Sequence, residues 1–302
     1  MVHAQVGSAE MSSVKRRANL IVGMCLLWLA CSVQAYNDDI HQRLTFMAAR
    51  QFNHCVEGTD VPMLKPLAVR YVVKANLREQ NRNFFAGISS WHFYDKAQAE
   101  RRALWFIETS MHERFNEKVL EMQQAEDSTE EYAVLGNLVN FIQGVTSPVQ
   151  VVPIFHPRWW RWGASDKFNH FAVATDDVQK LLETSCPSLT GMGDVDFSSL
   201  LISTATVTLD AVRAEIPGMN ATWRVFWEED PDYGDFGQYG EVGNNFGREV
   251  AFRCGDETCQ LLEGDPIYRE FANQRHFQAV LSTMKAMLIL QRLHLPGQSD
   301  SR

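Results

Sequence analysis

The chain has no surplus of positive charge. Its 302 residues carry 28 Lys and Arg against 37 Asp and Glu. A surface this acidic does not draw nucleic acid or anionic lipid from a distance. Only a local cluster of cations could do so. Arg158, Arg161 and Lys167, set among three tryptophans, are such a cluster or else ordinary surface. Long apolar runs are also missing. The run over residues 18–30 falls short of the about 20 residues that a bilayer span needs. The glycine-rich stretch 234–247 lacks the spacing of a phosphate loop and carries no cofactor reading. No internal repeat is visible. Cysteine is scarce, at six residues.

What is there begins with an export signal. Lys15, Arg16 and Arg17 precede the apolar run, and Val33-Gln34-Ala35 places small or short residues where a signal peptidase cuts. Residues 1–35 read as a leader, with cleavage after Ala35. The remainder is expected to be exported, periplasmic or secreted, with no transmembrane anchor after cleavage. The leader holds three of the basic residues and one of the acidic ones, leaving 25 against 36 and a net charge of −11. It also removes Cys25 and Cys31. Cys55, Cys186, Cys254 and Cys259 remain, and an even count in an exported chain favours disulfides. Cys254 and Cys259 bracket a tight loop, which leaves Cys55 with Cys186. Free buried thiols and a C-x4-C metal site are the alternatives.

Helical periodicity dominates the rest. His41, Leu44, Ala48 and Phe52 share one helical face within residues 36–55. Further helices are expected over 66–82, 98–124, 128–144, 175–184, 198–215 and 265–293. Ser128 is read as N-cap of the fourth and Thr175 of the fifth, and Asp265 with Pro266 starts the last. His112 lies off the apolar stripe of its helix and is expected in solvent. Residues 221–262 change character: Trp223, Val225 and Trp227 alternate with other residues, and Gly and Asp follow, as in a small β-hairpin and loop closed by Cys254 and Cys259. The tail 296–302 reads as disordered.

Four stretches then carry a resemblance. Tyr36 is followed five positions later by His41. Trp91-His92-Phe93-Tyr94-Asp95 contains the string HFYD. Residues 135–157 read LGNLVNFIQGVTSPVQVVPIFHP, and residues 165–171 read SDKFNHF. Together, in this order, they resemble the zinc-dependent phospholipase C and S1/P1 nuclease family. The resemblance implies a mainly α-helical single domain over residues 36–295, with a small β-hairpin insert near its C-terminal end. It also implies three zinc ions in a cleft, activating a water that attacks the phosphorus of a phospholipid or nucleic acid.

By that resemblance the amine and carbonyl of Tyr36, together with His41 and His92, stand at retained metal positions. On residue pattern alone, His41 and His92 read as packing residues more readily than as ligands. Asn140, Gly144, Gln150, Ser165 and Asn169 occupy positions where the family has His, Asp, His, His and Glu. Amide oxygens and a missing side chain are poor substitutes, because zinc prefers imidazole, thiolate and carboxylate. Glu79, His156, Asp166 and His170 are candidate substitute ligands. The expectation is a degenerate site with fewer zinc ions than three, or none, in a protein that binds rather than hydrolyses. A phospholipid or other phosphodiester is the candidate ligand, nucleic acid less so. The alternative is an active phosphodiester hydrolase with a reduced or relocated metal site.

Overall fold

A computed structural model describes residues 36–80, 90–91, 93–94, 102–103, 107–109, 111–152, 154, 165–230 and 236–295. The leader, His92, His156, Arg158, Arg161 and the tail 296–302 lie outside the described residues.

The chain is mainly helical, with small sheets. Helix α1 spans Asp38–Val56, and α2 spans Pro66–Gln80. Short strands follow: β1 (Ser90–Trp91), β2 (Arg102–Ala103) and β3 (Ile107–Thr109). Then come α3 (Met111–Gln124), α4 (Ser128–Gly144) and the single turn α5 (Pro148–Val151). A 3-10 turn occupies Lys167–His170, followed by α6 (Thr175–Leu182), α7 (Cys186–Thr190) and α8 (Phe197–Arg213). A second 3-10 turn, Trp223–Val225, leads into β4 (Trp227–Glu228), β5 (Gln238–Tyr239), β6 (Val250–Cys254) and β7 (Glu257–Leu261). The last helix, α9, is Pro266–Leu293.

Side-chain caps set several helix starts, because the first N–H groups of a helix have no partner within it. Asn37 accepts the N–H of Ile40, Asp196 that of Ser199, and Asp265 that of Ile267. The expected cap at Ser128 is displaced by one residue. Asp127 accepts from Thr129 and Glu130, and Glu130 accepts in return from Glu126. A carboxylate outcompetes a hydroxyl for this place because it holds two N–H groups and favours the positive helix end. Thr175 is likewise the first helical residue and caps nothing.

Of the helix expected over 98–124, Met111–Gln124 is helical among the described residues. Residues 102–103 and 107–109 are strands instead, because β3 pairs in parallel with β1 and antiparallel with β2. Trp223 and Val225 belong to a 3-10 turn rather than a strand, and only Trp227 enters one, opposite Tyr239. The expected C-terminal hairpin lies further on, between β6 and β7, turning at Gly255 with φ of 62°. His112 is half-buried, its ring 5.1 Å from that of Tyr94.

Helix α9 runs through the core: Ala279, Val280, Met284, Met287 and Leu290 have no exposed surface. Helices α1, α4 and α8 contribute Leu44, Leu138 and Ala205 to the same buried cluster. Gly136 lets α4 approach α2, since a Cβ there would lie 2.3 Å from the carbonyl oxygen of Val72. Both expected disulfides form. Cys55–Cys186 ties the end of α1 to the start of α7, and Cys254–Cys259 joins β6 to β7. No helix among the described residues is long and apolar enough to cross a membrane.

Candidate functional site

The four stretches that carried the resemblance meet. The backbone N–H of Tyr94 donates to the carbonyl of Gln150 at 2.9 Å. Ser147 Oγ donates to Asn169 Oδ1 at 2.6 Å, and the backbone N–H of Asn37 donates to the carbonyl of Asn169. The start of α1, the end of the HFYD string, the turn after α4 and the 165–171 segment therefore surround one buried region.

Its centre is His41. The ring is fully buried, and Nδ1 lies 2.7 Å from Gln143 Oε1. An amide oxygen only accepts, so the ring proton sits on Nδ1 and the neutral ring carries its lone pair on Nε2. Nε2 is buried and has no partner among the described residues. Burial lowers the His41 pKa to about 4, against the opposing pull of Gln143 and Asp38.

Gln143 is the hub of a neutral network drawn from four helices. Its Oε1 also accepts from Asn76 Nδ2, and its Nε2 donates to Thr45 Oγ1 and Thr283 Oγ1. Thr45 and Thr283 pass their own hydroxyl protons to the carbonyls of His41 and Ala279, one helical turn back. Asn140 Nδ2 donates to both the carbonyl and the Oδ1 of Asn76. Thr146 Oγ1 donates to the Gln143 carbonyl and lies 3.0 Å from the Tyr36 hydroxyl, which is therefore the donor of that pair. Each atom's role agrees with the others, the condition under which a buried polar network stabilises rather than strains.

Tyr36 fills the space beside it. The residue is fully buried, its ring edge-on to His41 at 5.7 Å and tilted to His276 at 5.6 Å. Burial raises its pKa. His276 is fully buried too, and neither ring nitrogen has a partner among the described residues. Desolvation takes its pKa down to about 3.

The remaining candidates are engaged elsewhere or lie at the surface. Asp166 caps its 3-10 turn through the N–H of Phe168 and accepts Trp227 Nε1 at 3.0 Å. Burial pushes its carboxyl up, opposed by those bonds, by Tyr239 and by His170. Glu79 is buried and accepts from the partly exposed Arg114 Nη2 at 3.0 Å. His170 is exposed. Gly144 is buried at the end of α4 and Gln150 is buried in α5, and the carbonyl of Ser165 accepts from Asn244 Nδ2. Lys167 Nζ donates to Asn245 Oδ1.

The described donors do not suit a three-zinc cluster. His41 Nε2 and the two His276 ring nitrogens have no partner among the described residues, while the amides and hydroxyls around His41 are spent on one another and are weak zinc ligands in any case. Among the described residues no three His, Cys, Asp or Glu side chains gather as a metal site requires. Sequence reading missed Asn76, Gln143, Thr45, Thr283 and His276. Their signal was present: each is a polar residue within an otherwise apolar helical face. Neither family models, curated proteins nor solved structures give a match to this chain.

Proposed function

We propose that this is an exported protein of phospholipase C and S1/P1 nuclease type whose zinc site has given way to a neutral hydrogen-bonded core. It acts by binding, with little or no hydrolysis, and its candidate ligand is a phospholipid or another phosphodiester. One observation carries the reading: the stretches that resemble the family converge, yet amides and hydroxyls meet where carboxylates and imidazoles would be needed. A network without carboxylates cannot offset the charge of several dications held close together. The two disulfides support export, because such bonds persist in oxidising compartments.

A second reading rests on His41. Its tautomer presents the Nε2 lone pair, with Nδ1 steadied by Gln143, the arrangement in which a histidine ligates metal. That favours a hydrolase with a reduced metal site. Metal content by mass spectrometry after zinc loading separates the two, together with phosphodiesterase assays on phospholipid and single-stranded nucleic acid. The binding reading expects near-zero zinc and no turnover. Two or three zinc ions per chain with turnover would overturn it.

A further inference from the structure

Helices α1 and α2 expose a basic and apolar face that the acidic chain as a whole does not predict. On α1 the exposed residues include Arg43, Phe46 and Arg50, and on α2 they include Leu67, Arg70, Lys74 and Arg78. The cations of α2 recur every four residues, so they form one stripe. No Asp or Glu occurs over residues 40–56 or 61–78. The nearest acids in sequence stand at the ends: Asp38 and Asp39 at the start of α1, Glu57 and Asp60 in the connecting turn, and Glu79 after Arg78, buried and paired with Arg114. None of the five cations forms an ion pair with a described residue, whereas Arg114 and Arg213 elsewhere do.

The two stripes lie on neighbouring faces of the helix pair. Asn76 reaches Thr45 at one end and Asn53 bonds Leu64 at the other, so α1 and α2 are antiparallel. At about 100° per residue, the exposed stripe of α1 is roughly a quarter-turn from its α2-facing residues Thr45 and Asn53. On α2 the exposed residues Leu67, Arg70, Lys74 and Arg78 average nearly half a turn from Asn76. Because the helices run in opposite directions, the α1 stripe turns to one side of the pair and the α2 stripe turns further outward beside it.

We infer that this face docks on an anionic lipid surface. Charge selects the partner's sign, and the apolar residues select its class. Phe46 is 48% exposed between two arginines, and Met63 and Leu67 are 55% and 58% exposed at the start of α2. Aliphatic side chains beside Lys and Arg gain nothing from phosphates or bases in water. At a headgroup boundary they enter the acyl region while the cations hold the phosphates. The net charge of −9 limits the attraction to short range, so docking is sensitive to salt. The inference stands whether or not the buried site hydrolyses anything.

Flotation of the purified chain with vesicles tests it. Phosphatidylcholine vesicles containing phosphatidylglycerol are compared with phosphatidylcholine alone, at low and high salt. Binding is expected only to the anionic vesicles and is expected to fall with salt. Each cation at such a surface strengthens binding about fivefold, so Arg70→Glu with Lys74→Glu weakens it about 25-fold or more. Phe46→Ser with Leu67→Ser weakens it while keeping the salt dependence. All four positions are exposed, and circular dichroism confirms that the variants fold. The charge-reversed chain differs from wild type only at Arg70 and Lys74, so equal flotation of the two overturns the inference. So does failure to float with anionic vesicles, or a preference for single-stranded DNA over them.

Discussion

His41 and Gln143, 102 residues apart, share a buried hydrogen bond of 2.7 Å. That bond fixes the histidine tautomer and anchors a network in which no carboxylate of the described residues takes part. Gln143→Met leaves the His41 N–H and one Asn76 N–H without their acceptor and Thr283 Oγ1 without its donor, while Thr45 Oγ1 keeps that of Asn76. Unpaired buried groups cost about 1–3 kcal/mol each, and relaxation offsets part of that. A loss of about 3 kcal/mol in urea denaturation is expected. Gln143→Glu keeps the shape and is expected to raise the His41 pKa, read by NMR titration.

Acid should destabilise the fold well before the carboxylates titrate. The folded pKa values of His41 and His276, about 4 and about 3, lie below the unfolded value of 6.5. Between these values the unfolded chain binds protons that the folded chain refuses. Stability is therefore complete above about pH 6.5 and falls as the pH drops toward 4, by about 1.4 kcal/mol per pH unit for each histidine. The raised pKa of Asp166 acts in the opposite sense. Urea midpoints measured from pH 7 to 5 should show the fall. His276→Phe should remove part of the slope, and a flat profile would refute the assignment.

The two disulfides should differ in weight. Cys55–Cys186 closes a span of 131 residues and Cys254–Cys259 one of 5. Chain entropy predicts about 5 against about 2 kcal/mol. Replacing the first pair by alanine should lower the denaturation midpoint more than replacing the second. The reverse order would mean that local geometry outweighs loop length.

Gly136→Ala should separate α4 from α2. The new Cβ would meet the Val72 carbonyl at 2.3 Å and the Ala75 side chain at 2.7 Å, both far inside contact distance. Overpacking of this kind costs about 1–3 kcal/mol, and helix propensity returns less than about 1. The nearby Asn140–Asn76 bonds should weaken with it. A thermal midpoint at or above that of the parent would overturn the account.

Much of the helical layout followed from local chemistry. Asn37 and Asp265 begin helices where an oxygen must accept the first free N–H groups, and apolar spacing marks the faces of α1 and α9 that become core. The four remaining cysteines pair as an even count in an exported chain suggests. What local sequence could not supply was pairing at a distance. Residues 107–109 carry a helical pattern, yet they become a strand because residues 90–91 lie alongside. Asp127 takes the cap from Ser128 because a carboxylate satisfies two N–H groups at once. The central network is the clearest case. Thr45, Asn76, Gln143 and Thr283 each look like an isolated polar residue on the apolar face of its helix. Only packing of α1, α2, α4 and α9 against one another turns them into donors and acceptors for each other, because their partners lie up to 140 residues away.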